Sequence, residues 1–208
     1  MTTDARALIE DGDTALGIEF GSTRIKAVLI GPDHQVLASG SHGWESHLDD
    51  GLWSYSLDEV RAGLRSAYAS LVDDVRDEYG LTPTTYGSIG VSGMMHGYLA
   101  FNAEGRQLAQ FRTWRNTNTA EAAAELSELF GVNIPLRWSV AHLHQTICSG
   151  ETHVMRVASI NTLAGWVHEQ LTGRHVLGVG DASGMFPIDP ATGSYDARCL
   201  SAYANLVD

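Results

Sequence analysis

The stretch LGIEFGSTRIKAVLI, residues 16–30, decides the fold that we expect for this chain. Apolar residues flank a Gly-Ser-Thr turn, which predicts two short strands joined by a tight connection. An acid, Glu19, lies on the first strand, and Lys26 follows the turn. Backbone N–H groups and hydroxyls in such a turn can bind a phosphate, and a neighbouring carboxylate can hold magnesium. An ordinary hairpin that needs a glycine has the same pattern, so both interpretations stay open at this point.

The surrounding pattern predicts an α/β domain. Residues 1–13 are polar and acidic, and we expect them to form a flexible leader. The predicted strands are 14–20, 25–30, 35–40, 86–91, 98–101 and 155–160, and the predicted helices are 56–80, 119–130, 139–148 and 161–171. Three strands, a helix, a strand and a further helix are the order of a ribonuclease-H-like half of an actin-like ATPase. Its mixed sheet is flanked by helices.

Composition excludes several classes of protein. The chain has 208 residues, 44% of them hydrophobic, and a formal net charge of -12, which disfavours a nucleic-acid or anionic membrane surface. Cys148 and Cys199 are too few for a disulfide framework. The N-terminal residues contain no apolar signal segment, and no apolar run is long enough to span a bilayer. We therefore expect a cytoplasmic protein.

Two further segments combine glycine or aromatic residues with polar groups. In Gly93-Met94-Met95-His96-Gly97, the glycines let the backbone approach a ligand, and a neutral imidazole can donate to and accept from a polyol hydroxyl. A buried histidine in a glycine-rich turn is an equal alternative. In Trp114-Arg115-Asn116, an indole beside an amide suits a sugar, whereas a core tryptophan before a helix cap is the alternative.

Two other features favour structural interpretations. Asp181 lies between glycines in Gly180-Asp181-Ala182-Ser183-Gly184, and such an aspartate is more often a turn residue than a catalytic one. His142 and His144 are two residues apart on a predicted helix, so they do not face one direction. With no evident third ligand, zinc binding is not expected there.

The order of these segments resembles the N-terminal domain of the FGGY carbohydrate kinases, and among them it is most similar to the xylulokinases. The matching segments are residues 17–23 with Lys26, Met95-His96-Gly97, Trp114-Arg115-Asn116 and Asp181-Ala182-Ser183-Gly184. The resemblance covers residues 16–208. It implies an actin-like domain over residues 14–208 that supplies most of the sugar pocket of an ATP-dependent ketopentose kinase.

The resemblance also implies a role for each matching residue. Met95, His96, Gly97, Trp114 and Asn116 are expected to bind the sugar. Gly21, Ser22, Thr23 and Lys26 are expected to bind the transferred phosphate, and Glu19 the magnesium ion. The expected cofactors are ATP and Mg²⁺, and the expected partner is a small-molecule ketopentose, with a homodimer left open. Neither nucleic acid nor a membrane is expected.

The family's general-base aspartate and nucleotide domain are expected beyond Asp208. The domain here is therefore expected to be incomplete, with no catalytic base in this chain, and the chain alone is not expected to turn over. A stand-alone sugar-binding sensor module is the alternative function, and another actin-like ATPase is a weaker one.

Three residues depart from the family pattern. Glu19 replaces the usual Asp, Asn116 replaces the acid of Trp-x-Asp, and Met94 replaces a common Gln. The first change affects the magnesium geometry and the second affects hydroxyl recognition. D-xylulose is the expected sugar, and L-ribulose is the next candidate.

Overall fold

The computed structural model describes residues 4–207. Backbone contacts divide the chain into two compact units. The first unit comprises Met1–Ser46 and Tyr55–Met94, and the second comprises His47–Ser54 and Met95–Asp208.

The described residues form α-helices, short strands and one 3₁₀ turn, Val154–Arg156. The helices are α1 (Ala5–Asp11), α2 (Leu57–Tyr79), α3 (Ala120–Phe130), α4 (Ser139–Cys148), α5 (Leu163–Thr172), α6 (Val179–Ala182) and α7 (Ala197–Val207). The strands are β1 (Ala15–Phe20), β2 (Arg24–Ile30), β3 (Val36–Gly43), β4 (His47–Asp49), β5 (Leu52–Ser54), β6 (Ser88–Gly93), β7 (Leu99–Phe101), β8 (Ser159–Asn161), β9 (Ile188–Asp189) and β10 (Ser194–Tyr195).

The first unit is built on a four-stranded mixed sheet in the order β3-β2-β1-β6. Strand β1 pairs with β2 antiparallel and with β6 parallel, and β2 pairs with β3 antiparallel. One face is apolar because Ile18, Phe20, Ile25 and Leu29 alternate with exposed residues, and α2 packs against β2 and β3. The opposite face carries Glu19 and Lys26, directly opposite each other in the register.

Helix α2 begins and ends as its sequence predicts. The Ser56 hydroxyl accepts a hydrogen bond from the Glu59 amide, and the Glu59 carboxylate accepts one from the Ser56 amide. The helix ends at Gly80 in the left-handed conformation. Its buried residues include Val60, Leu71 and Val75, and their helical spacing is confirmed.

The segment expected to be a flexible leader, residues 1–13, contains a helix. Helix α1 lies within this segment. It begins after Asp4, whose side chain accepts a hydrogen bond from the Arg6 amide, and it ends at Gly12. Leu8 and Ile9 are buried, and their burial explains why this polar segment is helical. The remainder of the leader, residues 1–3, lies outside the described residues.

The second unit has helices around an apolar cluster, and its small sheets are two-stranded. Leu126, Phe130, Val140, Ala141 and Phe186 belong to this cluster. Helices α3 and α4 confirm the predicted helices at 119–130 and 139–148. Within residues 4–207, no helix combines the length and apolar character that a bilayer span requires.

The strand predicted at 155–160 is partly wrong. Residues Val154–Arg156 form the 3₁₀ turn, and the strand β8 is Ser159–Asn161, paired antiparallel with β7. The helix predicted from 161 begins after Thr162, whose hydroxyl accepts from the Gly165 amide. Short apolar runs carry too little periodicity to separate these alternatives.

Candidate functional site

Hydrogen bonds to its carbonyl groups fix the turn between β1 and β2. The Gly21 amide donates to the Arg24 carbonyl at 3.0 Å, which closes the hairpin. The Gly21 carbonyl accepts from the Trp44 indole N–H at 2.8 Å, and the Ser22 carbonyl accepts from the Tyr55 hydroxyl at 2.6 Å. The rings of Trp44 and Tyr55 stack with centroids 4.2 Å apart. Two aromatic residues therefore fix the turn's backbone, while the Ser22 side chain stays exposed.

Neither Trp44 nor Tyr55 was found by sequence analysis. Both are distant from the turn along the chain, and no local pattern links an isolated aromatic residue to a turn some twenty to thirty residues earlier. Only the fold brings them to the turn, through β3 and the segment before α2.

Glu19 and Lys26 form an ion pair beside this turn. The Lys26 Nζ atom lies 3.1 Å from Glu19 Oε2, and each side chain is about half exposed. Because exposed ion pairs stabilise a protein by only about 0–1 kcal/mol, the pair can open without a large loss of stability. The carboxylate and the ammonium are thus both available to a ligand.

A hollow of about 400 Å³ adjoins the pair on the same face of the sheet. Gly17 on β1 and Gly90 on β6 are paired in register, so two neighbouring positions lack side chains. Ser92, the register partner of Glu19, lies at the rim. Neither Gly90 nor Ser92 was predicted as a site residue from the sequence. The glycines leave this strip of backbone open to close approach by a ligand.

In the second unit, His96 has an unusual backbone conformation. Its φ is 67°, in the left-handed region that residues other than glycine rarely adopt. Gly97 follows with φ 92°, and a Cβ atom there would lie 2.6 Å from the Arg112 carbonyl oxygen, so this position requires glycine. Such conformations cost energy and persist only where the surrounding structure enforces them. They are frequent at ligand-binding sites.

The imidazole of His96 is neutral near pH 7. Burial has the largest effect and lowers the pKa of His96, and the positive charge of Arg137 also lowers it. The Gly184 backbone and the negative charge of Asp181 raise it. The net effect is a pKa below the ordinary value of 6.5. Its Nδ1 atom is buried against Gly184, so a ligand can use the neutral ring only through Nε2, as one donor or one acceptor.

The Asp181–Gly184 segment lies against the same loop. A Cβ atom on Gly184 would lie 2.4 Å from His96 Nδ1, so only glycine fits against the ring. Ser139, the first residue of α4, connects the two segments: its hydroxyl donates to the Gly97 carbonyl at 2.6 Å and its amide donates to the Gly184 carbonyl at 3.3 Å. The Asp181 carboxylate accepts from the Thr162 hydroxyl. The structural interpretation of Asp181 agrees with this contact.

Arg137 links the Met-His-Gly loop to Trp114. Its carbonyl accepts from the Gly97 amide at 3.3 Å, and its guanidinium lies 5.6 Å from the centre of the Trp114 ring. Trp114 is half-buried and Met95 is 61% exposed. Arg137 therefore connects the loop that contains Met95, His96 and the buried Gly97 to Trp114. Arg137 was not predicted as a site residue, because the residues around it match no motif.

Asn116 is directed toward the protein. It is 4% exposed, and its Oδ1 atom accepts from the Trp53 amide at 2.8 Å. Its Nδ2 atom donates to the carbonyls of Trp53 at 2.8 Å and Thr113 at 3.1 Å. Both amide hydrogens are thus used, and sugar binding by Asn116 stays a prediction. The Arg115 guanidinium covers the Trp53 ring at 3.4 Å, so this segment anchors the β4–β5 hairpin.

The fold is shared with solved carbohydrate kinases. A xylulose kinase from Rhodospirillum rubrum superposes with a TM-score of 0.78 at 20% identity, covering 92% of this chain and 41% of that one. A structure described as a xyloylose kinase from Brucella ovis gives 0.78 at 19% identity, covering 90% and 40%. A Plasmodium falciparum glycerol kinase with ADP gives 0.77 at 16%, covering 92% and 40%.

These similarities define the class of the fold, the actin-like ATPase class, as the sequence predicts. The family follows from a sequence match: the model described as the N-terminal domain of the FGGY family of carbohydrate kinases matches residues 14–205. The chain belongs to this family. A comparison with curated proteins found no match. The chain spans about 40% of the length of the solved structures to which it is similar.

Proposed function

We propose that this chain is the N-terminal, sugar-binding part of an ATP-dependent carbohydrate kinase that phosphorylates a ketopentose. D-xylulose, giving xylulose 5-phosphate, is the first candidate and L-ribulose the second. The family match over residues 14–205 carries the proposal. Similar structures include xylulose kinases, and also glycerol and gluconate kinases, so the family leaves the sugar open. We place the reaction in the cytoplasm.

The sugar is proposed to bind at the Met-His-Gly loop. Neutral His96 would form a hydrogen bond with a sugar hydroxyl through Nε2, the Trp114 ring would cover apolar C–H groups, and exposed Met95 would line the same region. Gly97 lets the backbone turn there. Asn116 would accept a hydrogen bond from a sugar hydroxyl through the remaining lone pair of Oδ1.

The phosphate is proposed to bind at residues 21–23 and Lys26. A positive side chain stabilises charge on the transferred phosphoryl group, which is the main requirement of such a reaction. Glu19 fits a magnesium ion, because its half-exposed carboxylate offers oxygen ligands beside a glycine-lined hollow. Magnesium would neutralise phosphate charge when bound.

The test measures ADP release with ATP, Mg²⁺ and either D-xylulose or L-ribulose. The product of the complete coding sequence and the 208-residue chain are assayed in parallel. We expect turnover by the complete product and none by the shorter chain, which spans about 40% of the length of the similar kinases. If no ketopentose supports ADP release while glycerol or gluconate does, the pentulose assignment is wrong.

Lys26 offers a test of the phosphate role. Replacing Lys26 by Met in the complete product removes the charge beside the turn, and we expect kcat to fall by at least about a hundredfold, the scale of losing one group that stabilises transition-state charge. Arg65→Met removes an exposed positive charge on α2 and serves as the control. Equal activity of both variants would contradict the role of Lys26.

The sensor alternative has a different outcome in the same assays. A sensor module would bind a ketopentose, as measured by calorimetry, without ADP release from either protein. Sugar binding by the 208-residue chain together with turnover by the complete product instead supports the kinase.

A further inference from the structure

Three ligand-type side chains converge on the α3–α4 pair. Glu125 comes from α3, and His144 and Cys148 come from α4. His144 Nε2 lies 2.9 Å from Glu125 Oε2 and 3.6 Å from Cys148 Sγ, and all three atoms lie within 4.8 Å of one another. We propose that these residues bind one Zn²⁺ ion. The proposal is independent of the kinase assignment.

The contacts do not form a catalytic relay. In a Cys-His-acid relay, the acid orients one ring nitrogen and the other nitrogen faces the thiol. Here both the carboxylate and the sulfur face the same atom, Nε2 of His144. The neutral ring can donate one hydrogen from that atom to the carboxylate, and the exposed thiol is solvated, so no proton passes from the thiol through the ring to the acid. A cation between the three atoms satisfies them all.

Two of the three donor separations can be compared with tetrahedral zinc, and the third, between Cys148 Sγ and the Glu125 carboxylate, is within 4.8 Å. Zn–S and Zn–N bonds of the usual lengths at a tetrahedral angle place sulfur and nitrogen about 3.6 Å apart. The Cys148 Sγ to His144 Nε2 distance is 3.6 Å. The same geometry separates nitrogen and oxygen by about 3.3 Å. Oε2 of Glu125, at 2.9 Å, must therefore move outward slightly, and its half-exposed side chain has room to do so.

From the sequence, zinc binding was not expected here, because His142 and His144 do not face one direction and no third ligand was evident. The proposed site uses Cys148 and Glu125 in place of His142. His144 and Cys148 are four residues apart and share one face of α4, whereas the third ligand comes from another helix. His142 is fully buried. The donor set of imidazole, thiolate and carboxylate is one that zinc accepts.

Binding changes the protonation of two ligands. The Cys148 thiol releases its proton to solvent, and His144 binds through the Nε2 lone pair, so its ring proton lies on Nδ1, a buried atom with no hydrogen-bond partner among the described residues. Three protein ligands leave one coordination position for water. The ion would join α3 to α4, whose first residue, Ser139, holds the carbonyls of Gly97 and Gly184. Zinc would thereby stabilise the helix that supports the Met-His-Gly loop.

The test uses Co²⁺ as a spectroscopic probe and Zn²⁺ as its competitor. With the purified chain, we expect one Co²⁺ per molecule, a sulfur-to-cobalt charge-transfer band and displacement by Zn²⁺. Cys148→Ser, His144→Gln and Glu125→Gln should each weaken Zn²⁺ binding by at least about tenfold. Glu128→Gln, on the exposed face of the same α3 helix, should leave binding unchanged.

Thermal unfolding provides a second measurement. Because a ligand that binds only the native state stabilises it, Zn²⁺ should raise the melting temperature of the wild type and of Glu128→Gln, but not that of Cys148→Ser. Cys148 and Glu125 have exposed side chains, so their replacement preserves the fold. The proposal is overturned if the charge-transfer band is absent, if it persists in Cys148→Ser, or if Glu125→Gln binds zinc as tightly as Glu128→Gln.

Discussion

At the scale of the residue, His142 is a polar side chain that is costly to bury. It is 0% exposed, and neither ring nitrogen has a hydrogen-bond partner among the described residues. Burial, and then the positive charge of Arg112, lower its pKa from 6.5 to about 4. The charged form is therefore excluded from the native state over most of the acidic range.

This shift predicts a loss of stability in acid. Above pH 6.5 both states hold a neutral ring, so His142 contributes no pH dependence. As the pH falls from about 6.5 toward 4, His142 binds a proton in the unfolded chain but not in the native state. The free energy of unfolding therefore decreases by on the order of 3 kcal/mol. In His142→Leu, the decrease in the free energy of unfolding between pH 7 and pH 4 should be smaller by about this amount.

The measurement is urea unfolding at a series of pH values. His168→Leu, which removes a half-buried rather than a fully buried histidine from α5, is the control and should not reduce the acid-induced decrease as His142→Leu does. An identical acid-induced decrease in His142→Leu and in the wild type would show that a buried neutral His142 is not the cause.

At the scale of the element, local signals decide where helices begin and end. The capping box of α2 satisfies the amides of both Ser56 and Glu59, and both residues could be identified from sequence spacing alone. Helices α3 and α4 likewise follow their periodicity. The 3₁₀ turn and the strand β8 could not be placed in the same way, because pairing with β7, rather than a local pattern, sets the position of the strand.

The cap of α2 gives a prediction at this scale. Ser56→Ala leaves the Glu59 amide without its acceptor, and we expect the free energy of unfolding to fall by about 1 kcal/mol. Ser66→Ala, at an exposed interior position of the same helix, replaces serine with a better helix former and should not destabilise the protein. Urea denaturation of the two variants compares them, and equal effects would exclude a capping role.

At the scale of the whole molecule, distant segments meet at the Met-His-Gly loop. Gly184 packs against the His96 ring, and Ser139 joins Gly97 to Gly184. These residues are separated by long stretches of chain, so the arrangement depends on how α4 and the Asp181–Gly184 segment pack. The position of His96 is thus a property of the second unit as a whole.

Gly184→Ala tests this arrangement. The added methyl group would lie 2.4 Å from His96 Nδ1, so the ring must move, and we expect the KM for the sugar in the complete product to rise at least about tenfold. Gly180→Ala adds the same group where no atom lies within 4 Å and should leave the KM unchanged. An unchanged KM in both variants would show that His96 does not need its present position for sugar binding.

The sequence by itself determined the strands β1 and β2, the turn between them and the ends of α2, because hydrophobic alternation, turn glycines and caps act over a few residues. It also indicated the family through the order of its segments. Only the tertiary structure decided that Trp44 and Tyr55 hold the turn, that Asn116 faces Trp53, and that Glu125 joins His144 and Cys148. These contacts depend on the packing of elements far apart in the chain, which no local pattern of residues encodes.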